Sequence, residues 1–203
     1  MRVFGLTGGI ATGKSTVATL LTQLFGVTVL DADKAARSVL EPGTECWKQV
    51  WEVFGPEYFS EDSRLNRSML RQRIIDDPSA KAQLEAITHP AIQAHILRDL
   101  KDCMDAQCAY AIVEAALMVE TGSWKQYEAL FVVSCTKERQ IERLVHRDGQ
   151  SRTDAEAFID LQMPMRTKEG YATAVIQNNG TLPELRAATT LAWRTVLNTL
   201  SSP

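Results

Sequence analysis

Eight consecutive residues near the start of the chain fit a phosphate-binding pattern. Residues 8–15 read GGIATGKS and match G-x-x-x-x-G-K-[ST]. The apolar run at residues 3–6 precedes them and predicts a buried strand, and residues 16–25 carry apolar side chains at helical spacing. A strand, a glycine loop and a helix in this order form the context that the motif requires. The chain is therefore predicted to bind a nucleoside triphosphate, rather than to hold a solvated lysine in an ordinary glycine turn.

The residue types in this motif suit phosphate chemistry. Glycines allow the backbone to curve around phosphates with its N–H groups inward, and the start of a helix adds partial positive charge. Lys14 is predicted to reach the terminal phosphates, and Ser15 is predicted to ligate Mg²⁺. The predicted nucleotide-binding residues of the loop are Gly8, Gly9, Ile10, Ala11, Thr12, Gly13, Lys14, Ser15 and Thr16.

Carboxylates follow two of the predicted strands. Asp31 and Asp33 come after the apolar run at residues 27–30, and an extended backbone would place both on one side, near the loop. An acceptor hydroxyl needs a carboxylate to orient it and take its proton, and Asp33 is predicted to be that base. Asp31 is as readily an N-cap or a ligand of a metal-bound water. Glu114 is either part of the metal shell or an ordinary polar strand end.

Arginines recur at intervals of four in the second half of the chain. On a helix, Arg139, Arg143 and Arg147 would lie along one face. Guanidinium groups neutralise the charge of a transferring phosphoryl group, so residues 139–168 are predicted to form a basic lid. Some of these arginines are expected only to pair with neighbouring acids. Arg143 is the first choice for catalysis and Arg147 the second.

His89 precedes Pro90 in a region without strand patterns. A single histidine before a proline that starts a helix is usually structural. Its imidazole could also donate a hydrogen bond to a polar group of the substrate. Both interpretations stay open on the sequence.

Apolar strand patterns alternate with helical ones along the chain. The strand-like runs are residues 3–6, 27–30, 110–113, 129–133 and 174–176. This alternation predicts an α/β fold with a mostly parallel five-stranded sheet, and ligands of such sheets bind beyond the carboxyl ends of the strands. The long stretch between the second and third runs predicts helices that form either a lobe for the second substrate or a structural cap.

Several helix starts can be placed from the sequence. Proline at a first helical position predicts helices beginning at Pro78 and at Pro90, the second running to about Met104. Capping boxes predict two more starts, at Thr153 with Glu156 and at Thr181 with Glu184. The apolar residues of the last helix are expected to be its packing residues; they are Leu182, Leu185, Leu191, Trp193, Val196, Leu197 and Leu200.

Composition excludes several classes of protein. A net charge of −3 over 203 residues provides no general basic field for nucleic acid. No apolar run approaches the roughly 20 residues of a membrane helix, and no export signal is present, so a cytoplasmic protein is expected. The cysteines and histidines lack zinc spacing and indicate reduced thiols. A monomer or a weak homo-oligomer is expected.

Taken in order, these motifs resemble the dephospho-coenzyme A kinases, and the resemblance covers essentially the whole chain. The matching segments are G-L-T-G-G-I and G-K-S-T-V-A around the loop, D-A-D at 31–33, A-R at 36–37, E-P-G at 41–43, F-G at 54–55, T-H-P at 88–90, R-x-x-x-R-D at 143–148, Q-M-P at 162–164, Lys168 and V-I-Q-N-N-G at 175–180. The loop alone indicates only a nucleotide site, whereas its combination with D-A-D, H-P and N-x-G is specific.

The resemblance implies ATP-dependent phosphorylation of the ribose 3′-hydroxyl of dephospho-coenzyme A, the last step in making coenzyme A. It implies an adenylate-kinase-like P-loop NTPase fold with a core (1–34, 109–136 and 172–203), a helical substrate lobe (about 35–108) and a lid (about 137–171). ATP, Mg²⁺ and dephospho-coenzyme A are the implied ligands. Asp33 would be the base, and Lys14 and Arg143 would stabilise the transferring phosphoryl group. Arg147, Asn178 and Gly180 would bind the nucleotide, the last two near adenine, and His89 the acceptor.

This chain departs from the family pattern at a few positions. Residues 116–120 read ALMVE where the family has a proline-containing V-P-L-L-F-E segment. Thr173 and Gln177 each stand where an aspartate is usual, and Ala11 and Thr12 replace the common Gly-Ser of the loop. No proposed catalytic group is lost.

Other functions fit part of the same residues. Another small-molecule P-loop kinase, with a nucleotide, shikimate or gluconate as acceptor, is the alternative, because the shape of the lobe selects the acceptor. A GTP-dependent switch is disfavoured, since the sequence has neither N-K-x-D nor D-x-x-G. An inactive nucleotide-binding regulator is disfavoured by the retained Lys14, Ser15 and Asp33.

Overall fold

A five-stranded sheet with flanking helices organises the computed structural model, which describes residues 1–149 and 151–201. The strands are β1 (Arg2–Gly8), β2 (Thr28–Asp31), β3 (Tyr110–Glu114), β4 (Leu130–Ser134) and β5 (Ala174–Gln177), in the spatial order β2-β3-β1-β4-β5. The pairs β1–β3, β1–β4 and β4–β5 are parallel. The predicted α/β class and all five strands are confirmed, with ends shifted by at most two residues.

The α-helices of the described residues are α1 (Lys14–Phe25), α2 (Ala32–Ser38), α3 (Glu45–Phe54), α4 (Arg67–Asp76), α5 (Pro78–Asp105), α6 (Lys137–Asp148), α7 (Arg152–Asp160), α8 (Met165–Glu169) and α9 (Leu182–Ser201). None of these helices is long and apolar enough to cross a membrane. Ser202 and Pro203, at the end of the predicted core, lie outside the described residues.

The chain forms two compact units, and one of them contains the sheet. This sheet unit comprises Met1–Leu30 and Cys103–Pro203. Phe4 and Phe131, from neighbouring strands, are fully buried and pack edge to face with ring centroids 6.0 Å apart. Trp193 of α9 stacks on Phe131 and on Phe25 of α1. Because β1 lies in the middle of the sheet and pairs with β3 and β4, the position at which the loop after Gly8 begins is fixed.

The second unit, Asp31–Asp102, is helical and has its own core. Val50 and Phe54 of α3 are buried there with Leu70 of α4. Pro90 does not begin a helix as predicted; it lies inside the continuous α5. Proline removes one backbone hydrogen bond, but residues on both sides of it, Ile87 and Ala91, pack against this core. Packing therefore holds the helix together across the proline.

Of the other predicted helix starts, those at Pro78 and at Thr181 are observed, whereas the one at Thr153 is not. Asp77 caps α5, and its Oδ1 accepts from the Ser79 backbone N–H at 2.8 Å. The helix start at residues 181–184 is confirmed with one of the two bonds of the box, in which Glu184 Oε2 accepts from the Thr181 N–H at 2.6 Å. The predicted box at Thr153 is wrong, since Ser151 caps α7 by accepting from Asp154 N at 3.1 Å. Serine with aspartate three residues on offers the same cap two positions earlier.

The packing prediction for α9 is right only in part. Leu185, Trp193 and Val196 are buried in the core of the sheet unit, whereas Leu182 and Leu191 are 61% and 68% exposed. Apolar residues at helical spacing mark a buried face, but they do not show how far around the helix that face extends.

Candidate active site

Two glycines shape the loop between β1 and α1 through close contacts. Gly13 is the N-cap residue of α1 with φ 93°, a left-handed conformation that favours glycine. A Cβ atom at Gly13 would collide with Nδ2 of Asn178, and one at Gly8 would collide with the carbonyl oxygen of Val133. Both motif glycines are therefore required by their surroundings in the folded protein.

A cavity of about 500 Å³ opens at the carboxyl end of the sheet, beside this loop. It is lined by Ala11, Gly13, Lys14, Ser15, Thr16, Glu114, Arg143, His146, Arg147, Asn178, Gly180, Leu182 and Leu185. The structure thus brings most of the predicted nucleotide residues to one place. His146 and the two leucines were not predicted.

Lys14 extends over the loop from the first turn of α1. Its Nζ donates to the carbonyl oxygens of Gly8 and Gly9, at 3.2 Å each. Ser15 and Thr16 follow it on the exposed end of the helix. A helix end directs N–H groups and partial positive charge outward, so this end of α1 suits an anion.

Arg143 of α6 is tied to the backbone of the loop. Its Nη1 donates to the carbonyl oxygens of Ala11 and Thr12, both at 3.2 Å, and its Nη2 donates to that of Asn178 at 2.9 Å. The side chain predicted to neutralise a phosphoryl group therefore lies at the cavity and also joins two segments that form its wall.

Asn178 follows β5 and is almost fully buried. Its Nδ2 donates to the carbonyl oxygen of Thr12 at 2.7 Å, and its backbone N–H donates to Ser134 O at 2.7 Å. The amide side chain therefore braces the loop. Asn178 and Gly180 both line the cavity, and their place near adenine stays a prediction.

Arg147 lies one turn beyond Arg143 but has different partners. It pairs with Asp148 through two hydrogen bonds of 2.7 Å, which raise the pKa of Arg147 and lower that of Asp148. Its side chain is 61% exposed. The expected pairing of arginines with neighbouring acids is confirmed here, and also for Arg139 with Glu142 and Arg152 with Glu138.

Sequence reasoning missed the side chains that hold the first half of the loop. Gln140, Gln162 and Met165 each bond to the backbone of Gly9 or Ile10. The signal for Gln140 was its position three residues before Arg143, on the same face of a helix. Gln162 and Met165 lie far from the loop in sequence, and only the resemblance drew attention to their segment.

Lys168 of α8 is fully buried. Its Nζ lies 2.7 Å from Glu120 Oε1 and donates to the carbonyl oxygen of Ala116 at 2.9 Å. The same carbonyl accepts from the Thr7 hydroxyl at 3.2 Å. A lysine noted only as a motif residue thus ties α8 to the segment after β3.

The predicted acceptor residues belong to the helical unit. Asp31 caps α2 by accepting from Lys34 N at 2.8 Å, and Asp33 lies half-buried in the first turn. The expected extended backbone with both carboxylates on one side is wrong, because the helix begins at Ala32. His89 is an exposed residue inside α5. The roles of Asp33 and His89 stay predictions.

The comparisons with known proteins identify the family of this chain. The family model for dephospho-CoA kinase matches residues 2–184. The chain belongs to the dephospho-CoA kinase family. A dephospho-CoA kinase of Geobacter metallireducens is 39% identical to it over 194 residues, covering 96% of each chain.

Two solved structures extend the comparison to the fold. The protein TT1252 of Thermus thermophilus superposes with a TM-score of 0.83 at 31% identity, covering 99% of this chain and 98% of its own. The dephospho-CoA kinase from Campylobacter jejuni gives 0.68 at 26% identity, covering 98% and 100%. Members of this family are P-loop kinases, and the predicted family and fold are confirmed.

Proposed function

We propose that the protein transfers the γ-phosphoryl group of ATP to the ribose 3′-hydroxyl of dephospho-coenzyme A, giving coenzyme A. The observation that carries this proposal is the family match over residues 2–184, with the GGIATGKS segment folded as a loop on the central strand. Other P-loop kinases share such a loop, but the family match also covers the helical segment that we propose binds the acceptor.

The triphosphate would bind at the start of α1. Ser15 and Thr16 lie where backbone N–H groups leave the helix end, and Lys14 brings a full positive charge to the same cavity. Phosphoryl transfer is accelerated by fixed donors and charges aimed at the developing negative charge. The guanidinium of Arg143 is held in place by three carbonyl oxygens and would neutralise part of that charge. Its side chain would lose little conformational freedom when the nucleotide binds.

Mg²⁺ fits the residues of this cavity. The Ser15 hydroxyl and the Glu114 carboxylate both line it, and Mg²⁺ prefers oxygen ligands completed by waters and substrate phosphates. Among residues 1–149 and 151–201, no three His, Cys, Asp or Glu side chains are grouped to hold a metal by themselves. Ser15 would hold the ion, with Glu114 acting through water, and the ion would neutralise charge on the phosphates.

Asp33 would act on the acceptor. A carboxylate in hydrogen-bond reach of the ribose 3′-hydroxyl orients that oxygen and accepts its proton as the bond to phosphorus forms. Asp33 stands on a helix start fixed by the Asp31 cap. Its backbone position is therefore set before substrate arrives.

Replacing Asp33 tests this role. Asp33→Asn should lower turnover by about 10²–10⁴-fold, the usual contribution of a general base, while ATP binding measured by calorimetry stays unchanged. Asp31→Asn is the matched control, because asparagine caps a helix as well as aspartate does. Turnover of Asp33→Asn at the rate of the unmodified protein would refute the assignment.

The acceptor itself is tested by ADP release. The protein with ATP and Mg²⁺ should turn over with dephospho-coenzyme A and show only background rates with AMP or shikimate. Phosphorylation of AMP or shikimate in preference to dephospho-coenzyme A would favour the alternative of another small-molecule kinase.

A further inference from the structure

Both backbone groups of Ile10 are held by glutamine side chains. Oε1 of Gln162 accepts from the Ile10 N–H at 2.7 Å, and Nε2 of Gln140 donates to the Ile10 carbonyl at 2.7 Å. An N–H requires an acceptor and a carbonyl requires a donor, so the orientation of both amides is determined. Gln140 is buried and Gln162 is half-buried.

The neighbouring residues of the loop are held by the same region. The Gly9 N–H donates to Sδ of Met165 at 3.2 Å, and a Cβ at Gly9 would lie 2.7 Å from Gln140 Nε2 and 2.8 Å from Met165 Sδ. The side chain of Ile10 packs against the apolar cluster of Ile141, Leu144 and Ala155 between α6 and α7. Glycine at position 9 is what lets these side chains approach the loop.

The segment that carries Gln162 and Met165 is anchored independently of the loop. Its end is fixed by the buried Lys168, which pairs with Glu120 at 2.7 Å. Near its start, the Met163 N–H donates to the same Glu120 oxygen at 3.4 Å. The position of Gln162 is therefore fixed by contacts outside the loop.

We propose that Gln162 and Gln140 are positioning residues for the triphosphate, acting through the shape of the loop. They touch Ile10 and hold residues 9–11 in the bend that leads into Gly13. A loop fixed before the nucleotide arrives loses less conformational freedom on binding, which strengthens binding. This inference rests on the proposed function for its triphosphate ligand and is independent of the acceptor.

The same substitution of glutamine by glutamate should have opposite effects at the two positions. Gln162→Glu keeps an oxygen that accepts from the Ile10 N–H, whereas Gln140→Glu turns a donor into an acceptor facing the Ile10 carbonyl. Gln162→Met removes the strong acceptor at nearly constant size and leaves that N–H without its partner, which is costly inside a protein.

Calorimetry with ATP and no acceptor tests the proposal. Gln162→Met and Gln140→Glu should each weaken ATP binding about tenfold, because a loop released from its support must be ordered when ATP binds, while Gln162→Glu stays within about threefold. Gln49→Met, at an exposed glutamine of α3, is the control and should bind ATP normally. ATP binding by Gln162→Met equal to that of the unmodified protein would overturn the proposal.

Two further measurements separate positioning from a general structural role. KM for ATP should rise in Gln162→Met while KM for the acceptor and kcat change little. The Ile10 amide hydrogen should exchange faster in Gln162→Met but remain protected in Gln162→Glu. Equal increases in both KM values would instead indicate a general loss of structure and would count against the proposal. Because ATP binding is measured alone, an error in the acceptor assignment would leave this result intact.

Discussion

The two halves of the phosphate loop are held in different ways. In the first half, residues 8–12, backbone groups bond to side chains from α6, α8 and the segment before α8. In the second half, residues 13–16, the chain enters α1 and its helix end lines the cavity. Most side chains that hold the first half therefore come from more than a hundred positions away, while the second half mainly follows the geometry of the helix that it begins. We therefore propose that the first half, which we call the supporting half, positions the loop, and that the second half, which we call the binding half, makes most of the contacts to the nucleotide.

The largest expected effect lies in the binding half. Lys14→Ala should lower kcat/KM for ATP by about 10³-fold or more, because a charge aimed at the phosphates is lost. Thermal stability should fall by only about 1 kcal/mol, since Lys14 is half-buried and its hydrogen bonds to the carbonyls of Gly8 and Gly9 are lost. ADP release and a melting curve measure both quantities. Lys137→Ala, at a lysine that pairs with Asp160, is the control. A loss smaller than tenfold for Lys14→Ala would contradict the division of the loop into two roles.

An intermediate effect is expected where α6 supports the loop. Arg143→Ala leaves three carbonyls without a charged donor and should lower stability by about 2 kcal/mol or more, together with weaker ATP binding. Arg147→Ala removes an exposed ion pair and should change stability by about 0.5 kcal/mol or less. Thermal unfolding of the two variants compares them directly. Equal losses of stability would show that the hydrogen bonds of Arg143 contribute no more to stability than the exposed ion pair of Arg147.

The smallest effect is expected at Ala11, in the supporting half. Ala11 has φ 57°, a conformation that glycine adopts more easily, and its methyl group packs against the cluster between α6 and α7. Ala11→Gly should therefore stay within about 1 kcal/mol of the unmodified protein, because relief of strain offsets lost packing and added chain entropy. Ala11→Val, measured in the same melting experiment, should be clearly less stable. If Ala11→Val were as stable as the unmodified protein, the backbone of the loop would have to shift to accommodate the larger side chain.

The sequence predicts the binding half well because its signals are local. The strand, glycines, lysine and helix are consecutive, and the five strands carry continuous apolar runs. Residues 8–12 were predicted as part of the loop, but the glutamines that hold Ile10 were not, because no spacing rule connects them to it. Errors at Pro90 and at Thr153 have a similar cause: packing kept one helix continuous, and an equally good cap stood two residues earlier.

The place of β1 in the sheet has a consequence for biosynthesis. Arg2 pairs with Tyr110 and Gly5 with Leu130, and the side chain of Asn178 reaches Thr12. The ribosome releases the nucleotide loop before the strands β3, β4 and β5 and before Asn178, whose side chain braces it. The nascent chain must therefore carry an unfinished site until the residues around Asn178 have emerged, and we expect the late closure of such distant contacts to slow the folding of this unit.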